Sequence, residues 1–111
     1  MSEIHVDILI PLFYNPDENG IRREIEYEKF TDTYDELLFH FGGYSVDRDI
    51  VDGSWLSSMT NHRIDDQLRK VWVICEDKPE HVDFLKLLKD RLAERFEQEE
   101  IFMFYTTVNR F

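Results

Sequence analysis

Hydrophobic residues recur along this chain with two different periods, and the order in which those periods alternate limits the fold more than any other feature. Ile4, Val6, Ile8, Ile10 and Leu12 alternate with His5, Asp7, Leu9, Pro11 and Phe13. That period of two marks a strand that is wet on one side at its start and apolar on both sides by its end. Asn15-Pro16-Asp17-Glu18-Asn19-Gly20 concentrates turn-forming residues and reverses the chain. Ile21, Ile25 and Tyr27 prolong an extended arm, after which Phe30, Tyr34, Leu37, Leu38 and Phe41 recur at helical spacing. Gly42-Gly43 then supplies the left-handed residue that stops a helix, so a helix is predicted over Tyr27–Phe41.

The second half repeats the scheme. Tyr44, Val46, Arg48 and Ile50 alternate against Ser45, Asp47, Asp49 and Val51, as in a half-buried strand, and Asp52-Gly53 reads as a bend before Trp55-Leu56. Polar residues 57–63 lead to a run from Ile64 to Glu76 whose β-branched core, Val71-Trp72-Val73-Ile74, suits a central strand. Asp77-Lys78-Pro79-Glu80 announces a helix, with a side-chain oxygen expected at the cap and proline in the first turn. Val82, Leu85, Leu88, Leu92 and Phe96 form its buried stripe, and Ile101, Met103 and Tyr105 alternate with Phe102, Phe104 and Thr106 in a last strand. The predicted order, βαββαβ, is that of a ferredoxin-like α+β domain spanning residues 1–111, a four-stranded antiparallel sheet with two helices on one face. Its first and third strands belong in the middle of the sheet, and they are the two most apolar.

Charge narrows the partners. The chain carries 24 acidic against 13 basic residues, a formal charge of −11, which repels phosphate backbones and anionic lipid. Nucleic acid and membrane surfaces are therefore disfavoured. The start, Met1-Ser2-Glu3-Ile4-His5, lacks the basic flank and apolar run of a signal peptide, and the expected location is the cytoplasm. Cys75 is the single cysteine and sits in an apolar run, where a thiol acts as a small hydrophobe.

Two helices shelter only one face of such a sheet. If Ile8, Ile10, Val71, Val73 and Met103 face the helices, parity puts Leu9, Pro11, Phe13, Trp72, Ile74, Phe102 and Phe104 on the open face. A patch of that size is expected to pack against a second copy or another protein, or to floor an apolar pocket.

Catalytic signals are sparse. Asp47 and Asp49, two apart with Asp52 nearby, suit either a carboxylate-held divalent ion or a solvated strand face, and the second reading is preferred, so no metal or other cofactor is expected. His5, His40, His62 and His81 are scattered, and His62 beside Arg63, downstream of Trp55, is the most interesting because loops on rigid scaffolds carry function. Arg22 and Arg23 form an adjacent basic pair able to clamp a carboxylate or phosphate, or to pair with Glu18, Glu24 and Glu26. The expectation is a non-catalytic protein-interaction or small-ligand-binding module that self-associates through the open face. The alternative is a small enzyme whose pocket lies under the loop from Trp55 to Arg63, with Tyr14, His62 and nearby acids as polar groups. A metal-dependent nuclease on Asp47 and Asp49 is the weakest reading.

Phe41-Gly42-Gly43, then Gly53-Ser54-Trp55, then Arg95-Phe96-Glu97-Gln98-Glu99 follow one another in the sequence. This pattern resembles a group of small bacterial ferredoxin-like proteins of uncharacterised function. The resemblance implies the fold and brings no chemistry with it.

Overall fold

In a computed structural model that describes residues 2–111, leaving Met1 outside the described residues, the first apolar alternation forms strand β1, Glu3–Pro11. The arm beyond it folds back. Asp17 Oδ1 accepts the Asn19 and Ile21 N–H groups, and residues 12–14 then bond with residues 23–25, through Tyr14 N–H to the Arg23 carbonyl and Ile25 N–H to the Leu12 carbonyl. Helix α1 spans Tyr27–Phe41 and ends where Gly42, at φ 78°, donates its N–H to the Leu38 carbonyl at 2.9 Å.

The remaining elements are β2, Ser45–Val46; β3, Val51–Leu56; β4, Arg63–Glu76; α2, Pro79–Arg95; and β5, Phe102–Val108. Together they make an α+β fold with an antiparallel sheet of five strands in the order β2-β4-β1-β5, with β3 also paired to β4. A fifth strand exists because the alternation expected from Tyr44 to Val51 breaks. Val46 lies opposite Val71 and Val51 opposite Leu68, so Asp47, Arg48, Asp49 and Ile50 face only Arg69 and Lys70. The surplus residues bulge outward, and Arg69 Nη1 donates to the Asp47 and Arg48 carbonyls, both at 3.3 Å. Asp52-Gly53, where the bend was expected, stays in the ladder opposite Gln67 and Asp66. Glycine at 53 answers a different need, since a Cβ there would sit 3.2 Å from Leu68 Cδ1.

One face of the sheet carries the core. Ile4, Val6, Ile8 and Ile10 of β1 and Val71, Val73 and Cys75 of β4 are buried beneath Phe30, Thr33 and Leu37 of α1 and Leu85, Leu88 and Leu92 of α2. The helices are tied to each other where Arg95 donates to Thr33 Oγ1 at 2.8 Å and both Arg95 and Arg91 pair with Glu36. Burial pushes the Cys75 thiol pKa up, with Asp77 and Glu3 adding to the effect, so the thiol stays protonated and inert.

Two sequence expectations change here. The residue at the α2 cap is Lys78, which makes no side-chain cap bond, and Asp77 instead uses its backbone N–H to bond the Ser2 carbonyl at 3.0 Å. Pro79 at the first helical position is what fixes the start. The last strand, apolar on both faces in sequence, is mostly exposed: Ile101 just before it is buried and Met103 half-buried, whereas Phe102, Phe104 and Tyr105 stand in solvent. Among the described residues no helix is long and apolar enough to cross a membrane.

Candidate functional site

β4 is longer than its partner β1. The ladder between them ends at Pro11 opposite Leu68, with one last bond from the Leu12 N–H to the Gln67 carbonyl at 2.9 Å, and the residues of β4 before that form a projecting hairpin with β3. On the open face the side chains of β4 keep their parity, so Ile64, Asp66 and Leu68 continue the line of Lys70 and Trp72. The hairpin and the end of the open face border a cavity of about 490 Å³ that is open to solvent on one side. Leu9, Pro11, Leu68 and Phe102 floor it, residues 53–56 wall it, and Ser58, Asp66, Gln98, Glu99 and Glu100 rim it.

Two polar anchors hold this arrangement. At the first, Trp55 Nε1 donates to Asp66 Oδ2 at 2.6 Å while Arg22 holds Asp66 Oδ1. Arg22 also donates to the Tyr14 carbonyl at 2.8 Å and to the Asp65 carbonyl, so one guanidinium joins the returning arm to β4. At the second, Glu99 in the turn after α2 accepts the Ser57 hydroxyl at 2.6 Å, the Ser58 hydroxyl at 2.7 Å and the Ser58 N–H at 3.1 Å. Those hydroxyls, Ser57 first, lower the Glu99 pKa and keep the carboxylate charged. Ser57 Oγ in turn accepts the Met59 and Thr60 N–H groups, which shapes the hairpin tip.

The other sequence candidates fall elsewhere. Tyr14 is buried, with its hydroxyl on Glu26 and its ring beneath Arg23 at 4.4 Å and Lys29 at 4.8 Å. Burial raises its pKa, the Glu26 carboxylate adding to the rise, and the same hydrogen bond lowers that of Glu26. Arg63 pairs with Asp65 at 2.7 Å and reaches Ser54 Oγ at 3.2 Å; the Ser54 hydroxyl and then Arg63 lower the Asp65 pKa. His62 and Arg63 line a second, larger space of about 680 Å³ between the tip of the hairpin and the turn after β1, where Asn15 Oδ1 is buried with no partner among the described residues. Of the candidates Tyr14, Arg22, Arg23, Trp55, His62 and Arg63, only Trp55 therefore lines the cavity, and Arg22 supports it through Asp66.

The open face itself is divided. Leu9, Pro11 and Phe102 belong to the cavity, while Phe104 lies beside Phe102, 5.3 Å between ring centroids, and Phe13 forms an isolated bridge with Glu24 beyond the end of β1. Farther along, Trp72 is covered by the stacked ring of His5 at 4.7 Å, and Ile74 across from His5 is half-buried. His5 Nε2 lies 3.1 Å from Asp7, and Lys70 reaches Asp7 at 3.6 Å and Asp47 at 4.0 Å, so charge occupies the middle of the face. Among the described residues no three His, Cys, Asp or Glu side chains gather as metal ligands would.

Sequence reading missed Asp66, Glu99 and Leu68 as parts of one site. The available signal was Asp66 lying in phase with Ile64 and Leu68, an acid where the alternation calls for an apolar residue. No protein-family model matches the chain, and no curated protein matches it. Gly53-Ser54-Trp55 and Gln98-Glu99, two of the segments that carry the resemblance noted in the sequence, line the same cavity.

Proposed function

We propose that the chain is a non-catalytic binding module that holds a small amphipathic cation in the cavity under the β3–β4 hairpin. The observation that carries this reading is an apolar floor of Leu9, Pro11, Leu68 and Phe102 beneath a rim bearing Glu99 and the exposed Glu100, which shares its charge with Lys89 at 3.1 Å, while Asp66 below is neutralised by Arg22. A volume of about 490 Å³ lies inside the roughly 300–1,000 Å³ of small-molecule sites. The net charge of −11 draws cations toward that rim. Its polar groups are already committed to holding the hairpin: Asp66 to Arg22 and Trp55, Glu99 to Ser57 and Ser58, and Ser54 to Asp65. That favours binding over nucleophilic catalysis, which needs a nucleophile beside a free base. The enzyme reading drew on Tyr14 and His62, and neither lines this cavity.

The test is an amide-resonance titration of the labelled protein with an alkylammonium ion and with the alkylcarboxylate of equal chain length. Saturable shifts at Gly53, Trp55 and Glu99 with the ammonium alone are expected. Equal response to the carboxylate, or none to either, overturns the reading.

The fold belongs to the same proposal: a ferredoxin-like βαββαβ arrangement, related to the small bacterial proteins the sequence resembles, with its second strand broken into β2 and β3. The order β2-β4-β1-β5 and the placement of α1 after β1 and α2 after β4 support it. Action in the cytoplasm fits a single, buried cysteine.

A further inference from the structure

The two edges of the sheet are built differently. Along β4 the outer edge is interrupted by the bulge at residues 47–50 and carries Arg48, Asp49 and Asp52, devices that stop one sheet from adding to another. On the opposite side β5 pairs only with β1 among the described residues and contains no proline or bulge. It lies within residues 101–109, an uncharged stretch in a chain of which 33% is charged. Exposed Phe102, Phe104 and Tyr105 sit beside its free backbone groups. Such an edge is a template for another strand.

We propose that β5 is where two copies of this chain join, antiparallel about a twofold axis at Tyr105, so that their sheets merge. Three features select a second copy over a foreign strand. Centred on Tyr105, self-pairing sets Phe102 across from Val108, Met103 from Thr107 and Phe104 from Thr106, so each bulky side chain meets a β-branched one. The same register brings Glu100 of each copy, paired in its own chain with Lys89, toward Arg110 of the other, paired in its own chain with Glu3, so that opposite charges of the two copies meet at both ends. Finally, two molecules each of charge −11 repel, and residues 101–109 let them approach without apposing acids. The proposal stands independently of what fills the cavity, although Phe102 contributes to both.

Sedimentation equilibrium of the full chain tests it. A dimer with a dissociation constant below about 100 µM is expected, and Tyr105→Lys, which sets two cations against each other at the axis, weakens it about tenfold or more. Tyr105 is 62% exposed, so the variant keeps its fold, and an unchanged thermal melt of the monomer checks that. Glu100→Arg and Arg110→Glu each weaken the dimer, and together they restore it. Tyr105→Cys crosslinks two copies on mild oxidation, because directly paired strand residues lie within disulfide reach, whereas Thr107→Cys does not. A monomer at that concentration, or a dimer indifferent to Tyr105→Lys, overturns the proposal.

Discussion

Trp55 donates its indole N–H to Asp66 at 2.6 Å, and the other oxygen of that carboxylate is held by Arg22. Asp66 is 5% exposed, so its carboxylate relies on these two donors rather than on water. Asp66→Ala takes the carboxylate from the indole N–H and from the Arg22 guanidinium, which keeps only the Tyr14 and Asp65 carbonyls, and is expected to cost about 3–5 kcal/mol, whereas Trp55→Phe keeps a smaller aromatic ring and loses one bond to a charged group, about 1.5–3 kcal/mol. Urea unfolding midpoints check the order. Equal losses would mean that Arg22 does not rely on Asp66.

Glu99 predicts a pH dependence. The Ser57 and Ser58 hydroxyls favour its ionised form and hold its folded-state pKa below the usual value. A group with a depressed pKa contributes stability that is fully present above its unfolded value and is lost as pH falls through the folded one. The anchor between the hairpin tip and the α2–β5 turn is therefore intact at neutral pH and releases only in acid, below the usual carboxylate range. The Ser58 amide resonance, followed from pH 7 downward, should move in that window, and Glu99→Gln should abolish the movement. A Ser58 response centred near neutrality would contradict the assignment.

The helices and their order were legible because each was written locally: α1 runs over Tyr27–Phe41 as its apolar spacing and Gly42 require, and α2 starts at Pro79. Strand parity was legible for the same reason, with Ile8 and Val71 on the helix side and Leu9 and Phe102 on the other. What sequence could not supply was pairing at a distance. The bulge at residues 47–50 is set by β4, not by its own sequence, since the alternation from Tyr44 to Val51 reads as an unbroken strand. The cavity is likewise assembled across the chain, from Leu9, Trp55, Asp66 and Glu99, through bonds no local pattern encodes. The charge on the open face was hidden because His5, Asp7 and Lys70 each look like ordinary wet-face residues until the register sets them together.

At the end of α2 the backbone carries a removable cost. Glu97 adopts φ 53°, with its N–H on the Glu94 carbonyl and the Gln98 N–H on the Ala93 carbonyl at 2.8 Å, a helix stop in which the left-handed position favours glycine. Its ion pair with Lys29 at 3.6 Å is exposed and contributes little. Glu97→Gly is expected to stabilise the protein by about 1 kcal/mol and raise Tm by several degrees. Glu97→Ala, which keeps the strained conformation, is not. Paired thermal melts distinguish backbone relief from loss of the charge.

Adjacent leucines in α1 test how the core divides from the surface. Apolar spacing put both Leu37 and Leu38 on the buried stripe, yet Leu37 is 0% exposed beneath the sheet and Leu38 is 50% exposed. The helix turns about 100° per residue, so one of two neighbours must leave the core, and Thr33 at the position four before Leu37 marks the buried line instead. Thr33 sustains that line by donating its hydroxyl to the Lys29 carbonyl at 2.8 Å and accepting from Arg95, which removes the cost of burying it. Leu37→Ala is therefore expected to cost about 2–5 kcal/mol through its cavity, and Leu38→Ala less than about 1 kcal/mol. Chemical unfolding of the two variants measures both, and similar losses would mean that α1 is rotated from the orientation its buried residues define.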